Sequence, residues 1–489
     1  MATILRQITI WFDLEREMSP GLQDVEAFLG VLSEFDPELV RALELERVNG
    51  RDDHPVAAMW NLLAVALYLR RVKFSELLGE LSRNGDLARL LGFRETGPNK
   101  YDIPSDSALS RFHIKLKGER YLKMVKDVFE RTVDALAVEN PEFGKNTALD
   151  ASNVRTHAQP PRKGRKEEGK EGEAKPSSDP EASWSVKTKF RSDAQGKPRK
   201  ETECTFGYKL YAVADTQVPA IAAVDVKTGK TSDQELATPM LEEAQKNLPE
   251  GRMETTAMDK GFDSKENVEG AYELDIAAII PVRDVPENLE KLPREDREER
   301  LEPQSNIAYD RYTGEVFCYA KGNGEEIERR TMTYAGFEVG RDTHKFRCPL
   351  GAAAQGGCKA FASCSAGSAG AQGRQVRIPM ETDSRRFAPI YPKSHRWRRL
   401  YNGRSAVERI NSYLKDYPLE KHMRDALCFP IYDAGNMGMQ RRRLHGIMAH
   451  ESYNPMALAQ NLRQEFVKAM HGLDADPGHE VGHAPKKRA

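Results

Sequence analysis

Long hydrophobic runs are missing from this chain of 489 residues. The longest, Val56 to Leu69, covers about 14 residues and stops at Arg70-Arg71, short of the roughly 20 that a membrane-spanning helix needs. An integral membrane protein is therefore not expected. The opening residues, MATILRQITIWFDLERE, introduce acids at once and lack a basic start followed by an apolar stretch, so the expectation is a cytoplasmic protein without a secretory signal. Cysteine is scarce: there are six, and four of them fall between Cys318 and Cys364. That distribution argues against a disulfide framework and for a reducing compartment. There is no glycine-rich phosphate loop, which removes the usual sign of ATP use, and no internal repeat. Net charge is almost absent, at −1.

What is present suits a soluble chain of several structural units, with 39% hydrophobic and 30% charged residues. The near-zero charge is an average over unlike segments. Asp13 to Glu46 holds ten acids and two bases, whereas Ala151–Lys200 holds 13 bases and 7 acids, and Arg374–His445 holds 16 and 7. Electrostatic attraction is local at a Debye length of about 8 Å, so two basic blocks can meet a phosphate backbone although the sum is neutral.

Apolar residues at helical spacing run through VEAFLGVLSEF, PVAAMWNLLAVALYLRRV and FSELLGELSRNGDLARLLGF, which predicts an all-α domain over residues 1–145. A further helix starts at Asp106, with Leu109, Phe112 and Leu116 inward and Ser107, Ser110, Arg111, Lys115 and Lys117 outward. Short polar residues and Arg on one face suit contact with base edges and phosphates, and an ordinary amphipathic helix has the same pattern. From Asn146 the period becomes that of strands, in the order βββαβαβ: ALDAS, FGYKLYAVAD, VPAIAAVDVKTG, a helix, TTAMDKGF, a helix, and IAAIIPVR. Residues 155–203, poor in apolar side chains, are expected to form a flexible basic arm. Residues 284–395 contain Tyr312, Phe317, Tyr319, Tyr334, Phe337, Phe346 and Phe387, enough for an inserted subdomain with its own core. A C-terminal helix and basic tail are expected over 451–489.

Three carboxylates stand out. Asp150 closes the first strand and Asp259 the fourth, and residues at the ends of neighbouring central strands converge on one spot. Two carboxylates there repel unless a cation lies between them. Glu408 lies in YNGRSAVERINSYLKDY. At about 100° per residue it falls on one helix face with Tyr401, Arg404 and Lys415, while Val407, Ile410 and Leu414 form a separate apolar stripe. An exposed helix braced by an i,i+4 pair of Arg404 and Glu408 would read the same way.

The spacing Tyr401-x2-Arg404-x3-Glu408-x6-Lys415, together with LDAS at Asp150, GYKLYAVAD and MDKGFDS at Asp259, resembles that of bacterial insertion-sequence DDE transposases of the YREK type. The resemblance covers roughly residues 50–283 and 396–445. It implies an α/β fold: an RNase H-like mixed sheet with flanking helices (146–283 and 396–450), preceded by the all-α domain and interrupted by the inserted subdomain. It also implies that Asp150, Asp259 and Glu408 hold two Mg²⁺ ions (Mn²⁺ substituting) about 3.5–4 Å apart, for phosphodiester cleavage and strand transfer. Tyr401, Arg404 and Lys415, with Ser110 and Arg111 on the N-terminal helix, would contact double-stranded DNA, both element ends and target, and pairing two ends implies a homodimer on DNA. Inside the cell such a protein would be nucleoid-associated when bound.

Several readings stay open. Cys318, Cys348, Cys358 and Cys364, near His344, could hold a structural Zn²⁺, although no C-x-x-C knuckle is present. Trp397 could stack on an exposed base or serve the core. Lys260 and Asp215 lie near the acids but outside the proposed set. A metal-dependent nuclease of the same fold and a catalytically silent, transposase-derived DNA-binding protein are the alternative functions.

Overall fold

The computed structural model describes residues 22–46, 54–68, 74–116, 118–156, 158–162, 176–192, 198–218, 220–283, 285–286, 288–301, 306–321, 327–350 and 374–415. The expected C-terminal helix and tail, Cys358, Cys364 and Cys428 lie outside them. The chain divides into two compact units, one holding the described residues up to Leu109 except Phe74, the other holding Phe74 and the residues from Ser110.

The first unit is helical: α1 (Gln23–Phe35), α2 (Pro37–Leu45), α3 (Val56–Tyr68), most of α4 (Phe74–Arg83) and α5 (Gly85–Leu91). α3 is apolar all round and supplies Met59, Trp60, Leu62, Leu63 and Val65 to the core. The indole N–H of Trp60 donates to Asp36 Oδ2 at 2.6 Å, which satisfies both buried groups. Residues 74–93, which sequence spacing presents as one helix, are two. Asn84 accepts from the N–H of Leu87 and starts α5 anew, and Gly92 ends it in the left-handed region at φ 93°.

The division between units falls inside α6 (Asp106–Leu116), earlier than the expected boundary at residue 145. The next helix, α7 (Glu119–Glu139), belongs to the second unit. There the Arg252 guanidinium donates to the carbonyls of Ala137, Asn140 and Phe143 at 3.2, 3.3 and 3.1 Å and anchors its C-terminal end.

The second unit is built on a mixed sheet. Its strands are β3 (Asn146–Arg155), β4 (Ser183–Ser192), β5 (Pro198–Asp215), β6 (Ile221–Thr228), β7 (Thr255–Met258) and β8 (Ala277–Ile279). A separate two-stranded hairpin, β1 (Glu95–Gly97) and β2 (Lys100–Tyr101), precedes them. β3 is antiparallel to β5, β5 to β6, while β3, β7 and β8 run parallel. The parallel crossovers are made by α8 (Asp233–Asn247), after β6, and α9 (Lys265–Glu273), between β7 and β8. This is the mixed α/β arrangement expected of an RNase H-like core. All four residues of β7 are buried, and so is most of β5 from Phe206 to Asp215, as befits strands covered on both faces.

Part of the stretch expected to be a flexible arm is ordered. β4 pairs with the first half of β5 from Ser183↔Gly207 to Ser192↔Pro198. The Trp184 and Phe206 rings lie 5.4 Å apart, and the fully buried Asp179 accepts from Thr156 and Tyr208 hydroxyls at 2.8 and 2.6 Å. Composition averaged over residues 155–203 hid these few anchoring side chains.

Within 284–395 lie an antiparallel sheet of β9 (Glu298–Arg300), β10 (Ile307–Asp310), β11 (Val316–Lys321) and β12 (Ile327–Thr331), and another of β13 (Thr333–Glu338), β14 (Thr343–Arg347) and β15 (Gln375–Pro379). They share a core of Ile307, Tyr309, Val316, Met332, Phe346, Ile378, Phe387 and Tyr391. Of the aromatic residues expected to fill it, Phe317, Phe346 and Phe387 are buried, and Tyr312, Tyr319, Tyr334 and Phe337 are half-buried. Among the described residues no helix is long and apolar enough to cross a membrane.

Gly207 marks where β3, β4 and β5 meet, at φ 155°. A Cβ there would lie 2.2 Å from the Val154 carbonyl oxygen and 2.7 Å from the Thr156 nitrogen, both backbone atoms of the paired strand. Gly207→Ala is expected to cost about 2 kcal/mol or more of unfolding free energy, measured by urea denaturation.

Candidate active site

The parallel pairing of β3 with β7 places Leu149 opposite Met258. The next residue on β3 is Asp150, which sits within the strand and does not close it as the sequence suggested, because β3 runs on to Arg155 against β5. The residue just past the end of β7 is Asp259, so strand register makes the two neighbours. Asp259 then turns the chain. Its Oδ1 accepts from the N–H of Gly261 at 2.6 Å and caps the 3-10 turn Lys260–Phe262. A Cβ on Gly261 would come within 2.7 Å of that oxygen, so a side chain there would push the Asp259 carboxylate out of this position.

The third acid arrives on a helix. α11 (His395–Asn402) is capped by Ser394, whose Oγ accepts from the N–H of Trp397 at 3.1 Å, and α12 (Ser405–Lys415) follows after a short turn. α12 packs against β3 and β5, burying Ala406 and Val407. Arg404, at the turn, forms an ion pair with Glu408 and reaches Asp150 Oδ1 at 3.8 Å. Asn411, one further turn along, donates from Nδ2 to Asp150 Oδ2 at 3.0 Å. The Tyr401 ring stacks on Trp397 with centroids 5.0 Å apart at 15°, and the Arg404 guanidinium lies 5.9 Å from the Tyr401 ring centre.

The structure thus joins Asp150 and Glu408 through Arg404, sets Asp259 just past the end of the adjoining strand, and places Tyr401 beside Arg404. A turn at Gly403-Arg404 puts Tyr401 and Glu408 on separate helices and not on one helix face as expected. Ser110 and Arg111 are carried by a different helix, α6, the first half-buried and the second exposed. Lys415 closes α12. Lys260 is exposed. Asp215 is buried and accepts from the N–H groups of Gly144, Gln217 and Val218 at 2.8, 2.7 and 2.7 Å, the pattern of a carboxylate that shapes a loop. Cys318 packs against the core of the insert, Cys348 is half-buried, and among the described residues no three His, Cys, Asp or Glu side chains are grouped as a metal site. Trp397 is half-buried and stacks on Tyr401, outside any buried core.

Asn411 escaped sequence reasoning, although it was within reach: it lies seven residues after Arg404 and so on nearly the same helix face. Two other groups had no sequence signal. Lys209 Nζ and Tyr211 OH, both on β5, donate to Asp233 Oδ1 at 2.8 and 2.9 Å. Asp263 and Arg385 pair across 122 positions of sequence.

Electrostatics bear out the crowding of charge. Burial pushes the Asp150 carboxyl above the usual aspartate range and the charge of Asp259 adds to this, while Arg404, the Asn411 amide and Lys187 oppose it. For Arg404 burial works against the charged form, but Glu408, Tyr401, Asp150 and Asp259 outweigh it and the pKa rises.

Residues 142–425 match the transposase DDE domain family. The chain belongs to this family. The DDE transposase also shows a short match to the nitroalkane oxidase of Fusarium oxysporum, 38% identical over 48 residues, which is 10% of this chain and 11% of that protein. So the chain spans about a tenth of the length of that curated relative, and nothing of the oxidase's activity carries over. The cryo-EM structure of a piggyBac transposase synaptic complex with hairpin DNA is similar at a TM-score of 0.31, with 12% identity over 95% of this chain and 84% of that one, too distant to carry any argument about this site.

A carboxyl held above its ordinary pKa favours the folded protein only while protonated. That contribution is present below pH 3.8 and is lost as the pH rises through the folded-state value. In EDTA at pH 7, Asp150→Asn is therefore expected to melt at a higher temperature than the wild type, with the gap closing toward pH 3.8 in calorimetric scans.

Proposed function

We propose that this DDE transposase is of the bacterial insertion-sequence, YREK type, binding the terminal inverted repeats of its element and catalysing metal-dependent phosphodiester cleavage and strand transfer at Asp150, Asp259 and Glu408. The observation that carries the reading is the Arg404 guanidinium shared between Asp150 and Glu408, with Asp259 on the adjoining strand end.

The donor set suits a hard divalent cation. Asp150 and Glu408 meet on Arg404, and Asp259 is close enough to raise the Asp150 pKa by repulsion. Among the described residues the buried Asn411 Oδ1 beside Asp150 has no hydrogen-bond partner, and the three acids are not drawn together into a ligand set. Asp150, Asp259 and Glu408 would hold Mg²⁺ or Mn²⁺, which supplies activation of a water or DNA 3′-hydroxyl and stabilises the leaving oxygen. The chain's own contributions are positional. Asn411 fixes the rotation of the Asp150 carboxylate, and Gly261 N–H fixes that of Asp259. Arg404 neutralises the acids in the DNA-free protein, and its planar fork also matches a phosphate.

Tyr401 on α11 and Lys415 at the end of α12 are assigned to the DNA backbone, as are Ser110 and Arg111 on α6. The basic residues of 155–203 add sequence-independent attraction. A homodimer pairing two element ends, and a nucleoid location, accompany this reading. Zn²⁺ bound by Cys318, Cys348, Cys358 and Cys364 remains a proposal for the insert.

The test uses a labelled duplex bearing the cognate element end, with Mg²⁺. Wild type is expected to nick it site-specifically and yield joined products, and Glu408→Gln to lose cleavage by more than about 100-fold with DNA affinity retained. Nicking without joining would select a nuclease, and specific binding without cleavage in either protein would select a silent DNA-binding protein.

A further inference from the structure

The turn that presents Asp259 is held at both ends by carboxylates. Asp259 caps its start, and Asp263, four residues later, is buried at its end with 3% exposure. Asp263 Oδ1 accepts from Arg385 Nε at 2.9 Å, its Oδ2 accepts from Arg385 Nη2, and the same Oδ2 takes the N–H of Arg283 at 2.7 Å. Its carbonyl accepts from Gln234 Nε2, on α8, at 2.7 Å. Phe262, between the two acids, is also buried, and its carbonyl is taken by Asn267 Nδ2 at 2.8 Å. The turn therefore has little freedom of its own.

Arg385 comes from elsewhere in the chain. It lies between β15 and α11, where the inserted segment returns toward the helices that carry Arg404 and Glu408. That return segment is well seated: Phe387, Ala388, Ile390 and Tyr391 are buried, Arg386 Nε donates to the Arg311 carbonyl at 2.5 Å, and Tyr391 OH donates to the Gly314 carbonyl at 2.8 Å. The insert separates the second and third acids in sequence. The bidentate Asp263–Arg385 pair joins the loop of the second to the lead-in of the third.

We propose that Asp263 and Arg385 are positioning residues for the cleavage reaction, a clasp that sets Asp259 relative to Glu408 through the insert. A buried ion pair is a poor source of stability because desolvation offsets its attraction, but its planar, two-bond geometry specifies one arrangement. The clasp would couple the insert to the active site without touching substrate. The proposal rests on Asp259 and Glu408 being catalytic, so the experiment reads the clasp independently of cleavage.

Full-length wild type, Arg385→Gln, Arg385→Lys, Asp263→Asn and the Asp263→Asn/Arg385→Gln double variant would be compared by amide hydrogen exchange and by Mn²⁺ binding, followed by electron paramagnetic resonance. Arg385→Gln is expected to speed exchange in the 260–264 turn while sparing β3, to weaken Mn²⁺ binding about 10-fold, and to lower kcat for nicking by 10- to 100-fold with KM for DNA unchanged. The double variant should be no worse than either single, and Arg385→Lys should recover part of the loss. Unchanged exchange in the turn of Arg385→Gln overturns the proposal, and so does a loss of Mn²⁺ binding no greater than the loss of folded protein. If wild type fails to cut DNA, the transposase reading fails, and the exchange data still decide the clasp.

Discussion

Asp150 and Asp259 stand side by side because two parallel strands share a register, and that proximity is the constraint on which the rest of the second unit depends. A carboxylate within β3 and one just past the end of β7 repel, and burial together with this repulsion lifts the pKa of Asp150. The fold answers with a cation. Arg404 reaches both Asp150 and Glu408, and the helix that follows it packs on the sheet through Ala406 and Val407. Each part requires the others: without the apolar stripe α12 would not lie on the sheet, and without Arg404 two acids would face each other uncompensated.

The same logic governs the surroundings. Side chains that touch the acids or their turn are fixed by short hydrogen bonds: Asn411 on Asp150, Gly261 N–H on Asp259, and Arg385 and Arg283 on Asp263. Buried polar groups satisfied in this way permit one arrangement and penalise others. The insert, with two small sheets about a shared aromatic core, is joined to this network through Arg385. It is thereby connected to the site structurally, although its sequence contains none of the three acids.

Much of this organisation was legible in the chain. The strands and helices of the core other than β4, the neighbourhood of Asp150 and Asp259, and the shared face of Glu408 with the start of its helix follow from periodicity, because strands and helices impose repeats of two and 3.6 residues on side-chain direction. The single helix expected to carry Tyr401 and Glu408 on one face is broken at Gly403-Arg404. Reading failed where single side chains decide. The ribbon of β4 and β5 depends on Trp184, Phe206 and the buried Asp179, which an average over a basic, glycine-rich stretch conceals. The break at Asn84 depends on one capping oxygen. The helix α7 was not marked out in the sequence, and its stripe of Val125, Phe129, Val133 and Leu136 is buried within the second unit and not in the N-terminal helical one.

What the sequence by itself determined is therefore the set of local periods and the spacing of Tyr401, Arg404, Glu408 and Lys415, since these are properties of neighbouring residues and are written in order along the chain. What only the tertiary structure decided is which distant residues meet. Arg404 on Asp150, Asn411 on Asp150 and Arg385 on Asp263 each join residues more than a hundred positions apart, with no intrinsic pattern to announce them. Their partners are chosen by how the sheet, the insert and the returning helices pack, and packing is a property of the whole unit.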